Sequence, residues 1–227
     1  MKQNVIKAAL LSAALVSTTA MAMELETDAQ KLGYIIGMDI GNSLKQQGTE
    51  MDIDALLEAV KATYNGEPLA LTPEEAASIR EGFISARRAE AEEQRASMAS
   101  INATEGDKFL LENRSKEGVQ VTDSGLQYKV VVMGDGAKPA ASDKVTVHYR
   151  GTLLNGEEFD SSYSRNQPTS FQLDQVIPGW TEGVQLMPVG SKFMFYIPPG
   201  LAYGPNGGGP IGPNSTLIFE VELLSID

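Results

Sequence analysis

Leu32, Ile36, Ile40 and Leu44 recur at every fourth position with Ile35 beside them, an apolar stripe that predicts an amphipathic helix. Thr27 and Gln30 stand at capping-box spacing before it and Gly48 offers a stop. Gly33, Gly37 and Gly41 repeat with the same period. Each interior glycine costs a helix up to ~1 kcal/mol relative to alanine, so three in register mark a face where another backbone comes close. Met38 is placed to fill gaps along that contact. The face is either an intrachain helix-packing site or a dimer interface. A second helix runs from the Asp52 cap to Gly66, with Ile53, Leu56, Leu57, Val60 and Tyr64 as its apolar side. Two short helices make no domain alone, and burial against a second copy is the economical solution.

A third helix opens at Thr72, Pro73 and Glu75 and meets no strong stop until near Gly118, although Gly82 and Gly106 are weak points. Its roughly 44 residues would span about 66 Å. Ile79 and Phe83 can pack on the first two helices, and Phe109 and Leu110 on the domain beyond; Arg87 to Arg95 is polar all round, as in a solvated connecting rod. No apolar seam continues through that middle, which argues against a coiled coil.

Beyond Gly118 the period changes to two. Leu126, Tyr128 and Val130 alternate along one strand, Val145, Val147 and Tyr149 along another, and Phe193, Phe195 and Ile197 along a third. Thr216 to Ile226 reads as a long last strand, with Leu217, Phe219, Val221 and Leu223 on one face. Val176 to Met187, which contains Trp180, is the one short helix expected here. From Val119 the chain holds 9 of its 11 prolines and 14 of its 22 glycines, which places the change from helices to strands near Glu117-Gly118. The fold class is therefore α+β, with an antiparallel sheet wrapped around a short helix.

Composition adds export and excludes some partners. Lys2 and Lys7, the apolar run Ala8 to Val16 and Ala20-Met21-Ala22 make residues 1–22 a cleaved signal peptide; the run is too short for the ~20 residues of a spanning helix. The mature chain is then expected to have no integral membrane segment. There is no cysteine, so neither disulfides nor thiol chemistry is available. Net charge is −12, and cleavage would remove two lysines and no acid, so the acidic surface disfavours nucleic acid.

Candidate chemistry gathers between Val145 and Asp160. Tyr149 ends a buried strand face, Asn155-Gly156 signals a hairpin, and Phe159-Asp160 sets an aromatic ring beside a carboxylate. Such a unit supplies an apolar pocket with one polar handle. His148 alternates with Tyr149 and should face away from it; no metal site or Ser/His/Asp set can be assembled around this lone histidine, and no cofactor motif is present. The glycine run at Gly207 lacks the Lys-Ser/Thr of a phosphate loop and reads as a flexible flap.

The ordered motifs Val147 to Ser162, Val176-Ile-Pro-Gly-Trp-Thr-Glu-Gly183, Leu186-Met-Pro-Val-Gly190, Leu201-Ala-Tyr-Gly204 and Thr216 to Leu223 resemble the FKBP-type peptidyl-prolyl cis-trans isomerases. Gly33-Tyr34-x-Ile-Gly37-x-Asp-Ile-Gly41, the long helix, and Gly204-Pro-x-Gly-Gly-Gly-Pro-Ile-Gly-Pro213 extend the likeness to the macrophage infectivity potentiator group of exported bacterial members. The resemblance implies a helical dimerisation region over 23–70 with Gly33, Gly37, Met38 and Gly41 at the interface, a connecting helix over 71–118, and an isomerase domain over 119–227. It also implies a V-shaped homodimer acting on proline-containing polypeptides in the periplasm, or at the outer membrane or cell surface, and inhibited by macrolides such as rapamycin.

Carried over residue by residue, the likeness makes Tyr149, Phe159, Phe171, Val176, Ile177 and Phe219 pocket walls and Trp180 the floor, with Tyr203 and Ile211 supplied by the flap. The Ile177 N–H would meet a substrate carbonyl, the Tyr203 hydroxyl would bond the twisting amide, and Asp160, oriented by Arg165, would shape the field. Two departures bear on substrate choice. Thr169 stands where many members carry an aromatic wall residue, and Gly207 to Gly209 replace a bulkier loop tip. A mainly non-catalytic chaperone clamp and a surface virulence factor are the alternative functions.

Overall fold

The computed structural model describes residues 24–48 and 50–227, so the expected signal peptide lies outside the described residues. The chain divides into two compact units, one ending at Thr72 and one from Pro73 to Asp227.

The first unit holds α1 (Asp28–Gln47) and α2 (Ile53–Asn65). Both begin and end where their caps dictate. The Thr27 hydroxyl accepts from Gln30 N at 3.2 Å while Gln30 Oε1 accepts from Thr27 N at 2.9 Å, and Gly48 closes α1 in the left-handed region at φ 61°. Asp52 Oδ1 accepts from Ala55 N at 3.0 Å to open α2. None of the described residues of these helices is buried, and Leu32, Ile35, Ile36, Met38 and Ile40 are each about half exposed.

The second unit opens with α3 (Pro73–Asn113). The helix stops before the expected end near Gly118, and the reason is Asn113. Its buried amide donates to Gln127 Oε1 at 3.0 Å, and Gln127 Nε2 in turn donates to the Leu110 carbonyl at 2.8 Å. The chain then turns through Gly118, at φ 81°, into the sheet. Gly106 is buried because α3 approaches Thr216 closely there; a Cβ at this position would collide with the threonine hydroxyl. Phe109 packs against Tyr196 with ring centroids 5.8 Å apart.

Seven strands complete the unit: β1 (Val119–Val121), β2 (Gln127–Val132), β3 (Lys144–Thr152), β4 (Glu158–Ser161), β5 (Thr169–Gln172), β6 (Lys192–Ile197) and β7 (Leu217–Ile226). The sheet order is β1-β2-β6-β7-β3-β4, with β5 pairing β3, and all pairings are antiparallel. The period-two pattern sets which face is inside. β6 buries Phe193, Phe195 and Ile197, β7 buries Leu217, Phe219, Val221 and Leu223, and β3 buries Val145, Val147 and Tyr149. Short β1 and β5 escape a sequence reading because neither carries an apolar alternation long enough to register.

The inner face is covered by α4 (Pro178–Val184), which is shorter than the expected Val176 to Met187 because Pro178 fixes its first turn and Val176-Ile177 stay extended. Gly179 and Gly183 lie one turn apart on the side of α4 that faces β6. A Cβ on Gly183 would sit 2.7 Å from the Phe195 ring, and one on Gly179 would press into Ile197. Their absence of side chain lets the helix lie directly on the sheet. Among the described residues no helix is long and apolar enough to cross a membrane.

Helix propensity alone would have Gly183→Ala stabilise by up to ~1 kcal/mol, whereas overpacking against a fully buried ring costs about 1–3 kcal/mol. The packing cost should win, giving a net loss of about 1–2 kcal/mol in urea unfolding followed by the fluorescence of Trp180, the one tryptophan of the chain. A variant more stable than the parent would show that α4 does not press on β6 as described.

Candidate active site

Between α4, the concave sheet face and the loop after β6 lies a cavity of about 580 Å³, a size suited to a small ligand or side chain. Ten of the residues singled out from sequence line it: Tyr149, Phe159, Asp160, Phe171, Val176, Ile177, Trp180, Tyr203, Ile211 and Phe219. Each comes from an element with a reason to place it there. Tyr149 is the inward residue near the end of β3, Phe159 and Asp160 come after the Asn155-Gly156 turn on β4, and Phe219 continues the buried face of β7. Val176 and Ile177 form the extended entry to α4, which delivers Trp180 to the cavity floor.

Trp180 is the centre of an edge-on aromatic cluster. Tyr149, Phe171 and Phe219 stand at 79–88° to the indole, with ring centroids 5.2 to 5.5 Å away, and Phe159 meets Phe219 at 87°. Positive ring edges pointing at negative faces are favourable, and the crossed arrangement holds each ring in place. The result is a rigid apolar cup.

One carboxylate enters it. Asp160 Oδ2 accepts from the Tyr149 hydroxyl at 2.5 Å, Asp160 Oδ1 accepts from Arg165 Nη1 at 2.5 Å, and Arg165 Nη2 donates to Tyr149 Oη at 2.8 Å. Burial pushes the Asp160 carboxyl up, but the hydrogen bonds from Tyr149 and Arg165 and the guanidinium charge outweigh it and leave the carboxyl below its ordinary 3.8. Burial, with the neighbouring carboxylate, raises the Tyr149 phenol from 10.0 to about 12. The closed triangle thus keeps a carboxylate and a neutral phenol side by side. Sequence reasoning placed Arg165 beside Asp160 and Tyr149 in the pocket but assigned its hydroxyl no partner; that hydroxyl is the third corner.

The loop from Tyr203 to Thr216 forms the remaining wall. Besides Tyr203 and Ile211 it contributes Gly208, from the glycine tip noted in the sequence, and Pro210, and Gln175 adds a polar rim position. Gly207, at φ 67°, could not carry a side chain without striking the Ile211 carbonyl, so the glycine tip is a backbone requirement. Thr169 lies outside this lining, in β5 beside Arg165 and Gln167. His148 points to the other face, where it stacks on Tyr163 with centroids 4.6 Å apart. Gly33, Gly37, Met38 and Gly41 are all on α1, with open space where a Cβ would stand on each glycine.

The fold and site together define a ligand-binding domain: an antiparallel sheet curled over one short helix, with an aromatic cup and one carboxylate at its wall. Comparison with known proteins gives the family. Residues 135–224 match the model of FKBP-type peptidyl-prolyl cis-trans isomerases, and residues 29–130 match the domain found amino-terminal to them. The outer membrane protein MIP of Legionella longbeachae is 44% identical over 231 residues, covering 100% of this chain and 98% of that protein. FkpA of Escherichia coli K12 is 39% identical over 208 residues, covering 88% of this chain and 77% of its own length. The crystal structure of Escherichia coli FkpA superposes with a TM-score of 0.71 and 39% identity, covering 90% of this chain and 99% of that one. The chain belongs to the FKBP-type peptidyl-prolyl cis-trans isomerases, in their Mip-like group with an amino-terminal helical region.

The triangle makes a pH prediction. A carboxyl lowered in the folded state contributes stability that is present above its unfolded value near 3.8 and lost as pH falls through the lower folded value. The raised phenol contributes stability that is present below 10.0 and lost as pH rises towards about 12. Carbon-detected NMR should find the Asp160 carboxyl titrating below 3.8, and Tyr149→Phe should move that midpoint upward. A midpoint unmoved by Tyr149→Phe would show that the phenol does not hold the carboxylate.

Proposed function

We propose that the cup accelerates isomerisation of X-Pro bonds in exported polypeptides, with Tyr149, Phe159, Asp160 and Tyr203 as the catalytic set and Phe171, Val176, Ile177, Trp180, Ile211, Phe219 and Arg165 as the substrate-binding set. The observation that carries the assignment is the combination of an apolar aromatic cup with room for a proline ring and a single carboxylate whose two oxygens each accept a hydrogen bond.

The barrier to X-Pro rotation, ~18–20 kcal/mol, comes from amide resonance, so a catalyst needs no nucleophile and no proton in flight. It must favour the twisted amide over both planar forms. The rings around Trp180 remove the proline from water and hold it by shape. The Ile177 N–H, at the entry to α4, takes the carbonyl on the far side of the ring. The Tyr203 hydroxyl bonds the carbonyl of the rotating amide, and Asp160, immobilised by Tyr149 and Arg165, supplies a fixed negative field beside it. Both carboxylate oxygens are occupied, which suits a field role and not proton transfer.

The protein acts as a homodimer through α1. Support comes from the half-exposed Leu32, Ile36, Met38 and Ile40 beside Gly33, Gly37 and Gly41, and from the lack of any buried described residue in α1 and α2. Exposed apolar faces of this kind in two short helices need a partner, and a second copy supplies the matching face. Two pockets on one dimer raise effective concentration for a long unfolded chain, which supports chaperone action beside catalysis. The signal expected over residues 1–22 supports export to the periplasm, with the outer membrane or cell surface as the alternative destination. A mainly non-catalytic chaperone clamp is the second reading, favoured by the same apolar faces.

The cis-to-trans rate of a short proline peptide should rise with the mature protein and fall back with rapamycin at micromolar concentration. Asp160→Leu should lower kcat/KM about tenfold or more, equivalent to ~1.4 kcal/mol at the transition state. No acceleration by the folded parent would move the clamp reading to first place. Light scattering should give twice the chain mass, and Gly37→Leu should shift it towards one; a parent that runs as a monomer would sink the dimer.

A further inference from the structure

The flap from Gly204 to Ser215 is closed mostly on itself. Gly208 and Ile211 exchange backbone hydrogen bonds at 2.8 and 3.0 Å, and Asn214 N donates to the Gly204 carbonyl at 3.0 Å. Among the described residues, the side-chain hydrogen bonds that leave it all run to α3. Arg95 Nη2 donates to the Asn206 carbonyl at 2.8 Å and to its Oδ1 at 3.3 Å. Asn102 Nδ2 donates to the Pro213 carbonyl at 2.8 Å and reaches Ser215 Oγ at 3.4 Å, and Asn214 Nδ2 donates to the Ala99 carbonyl at 3.3 Å.

Positions 95, 99, 102 and 106 are spaced four, three and four apart, which puts them on one stripe of the helix. Gly106 sits against Thr216, where the flap joins β7, and a Cβ on Gly212 would stand only 3.1 Å from Met98 Sδ and 3.2 Å from Asn102 Nδ2, so helix and loop are closely packed there. The helix therefore grips both ends of the loop. Asn206 lies three residues from Tyr203, and Pro213 two residues from Ile211, so each anchored carbonyl is close along the chain to one of these two side chains that face the cup.

We infer that this stripe of α3 is a brace for the flap, which makes Arg95 and Asn102 positioning residues for isomerisation and the carboxy-terminal half of α3 a part of the enzyme, not a spacer. The charged Arg95 donor on a carbonyl is of the stronger kind, and the Asn102 bond is partly shielded from water. An unbraced flap must be ordered each time substrate binds, and its binding-competent fraction falls. That penalty appears mainly in KM.

The inference rests on the isomerase reading, and its test separates the two. Full-length Arg95→Ala/Asn102→Asp, in which aspartate keeps the shape but loses the donor, is compared with the parent, with Asn102→Asp/Arg95→Lys, and with Arg88→Ala as a control elsewhere on α3. Expected are a five- to tenfold fall in kcat/KM on a proline peptide carried chiefly by KM, rapamycin binding weakened about as much, and faster hydrogen exchange at the Gly208 and Ile211 amides. Lysine at 95 should restore part of the loss. Rates and flap exchange within twofold of the parent would overturn the brace, as would an equal loss in Arg88→Ala. A parent without turnover would instead refute the isomerase reading, while the exchange measurement would still decide the brace.

Discussion

The crossed packing of Trp180 with Tyr149, Phe171 and Phe219 is the contact on which the second unit depends, because it is at once the end of the core and the floor of the cavity. It exists only because α4 lies close enough to the sheet for the indole to reach rings from β3, β5 and β7. That closeness comes from Gly179 and Gly183, whose missing side chains let Ile197 and Phe195 touch the helix directly. A core built this way cannot give at one ring without moving the others, and the rigidity passes to the cup. Preorganisation is what an isomerase of this kind uses in place of reactive groups.

The same strand that supplies the Tyr149 ring to the cluster supplies its hydroxyl to Asp160. Core packing and site electrostatics are thus joined in one residue. The ring is buried with the core while the hydroxyl, the carboxylate and Arg165 close a triangle at the rim. Arg165 also lies over the Tyr149 ring, 5.7 Å from its centroid, so a single cation contacts the carboxylate, the hydroxyl and the ring. The field at the cup is set by positions that the fold has already fixed.

Much of this was legible in the residues alone, for physical reasons. Strands β2, β3, β6 and β7 carry a clean alternation and α1 and α2 carry caps at both ends, and where a cavity residue sits on such a strand, as Tyr149 does on β3 and Phe219 on β7, pattern and place coincide. The features that escaped had no local signature. β1 and β5 are too short for a period to show, and α3 ends at Asn113 through a buried amide pair with Gln127. The partner of Arg95 lies 111 positions away, in a loop whose course depends on the finished sheet. Asn102, in an Asn-Ala-Thr sequence with no chemistry of its own to announce, holds the Pro213 carbonyl. Long-range polar contacts of this sort are settled by tertiary packing, which no window of sequence contains.

In the proposed mechanism fixed groups stabilise the twisted amide, and no proton is transferred as it turns. The most direct test is the solvent isotope effect on kcat/KM, measured on the mature protein in light and heavy water at matched positions of the pH plateau. The predicted ratio is close to ~1, because neither Asp160 nor the Tyr203 hydroxyl gives up or takes a proton in the barrier-crossing step. A ratio of about 2 or more would mean that a proton moves in that step, and the field mechanism would have to be abandoned for general acid catalysis.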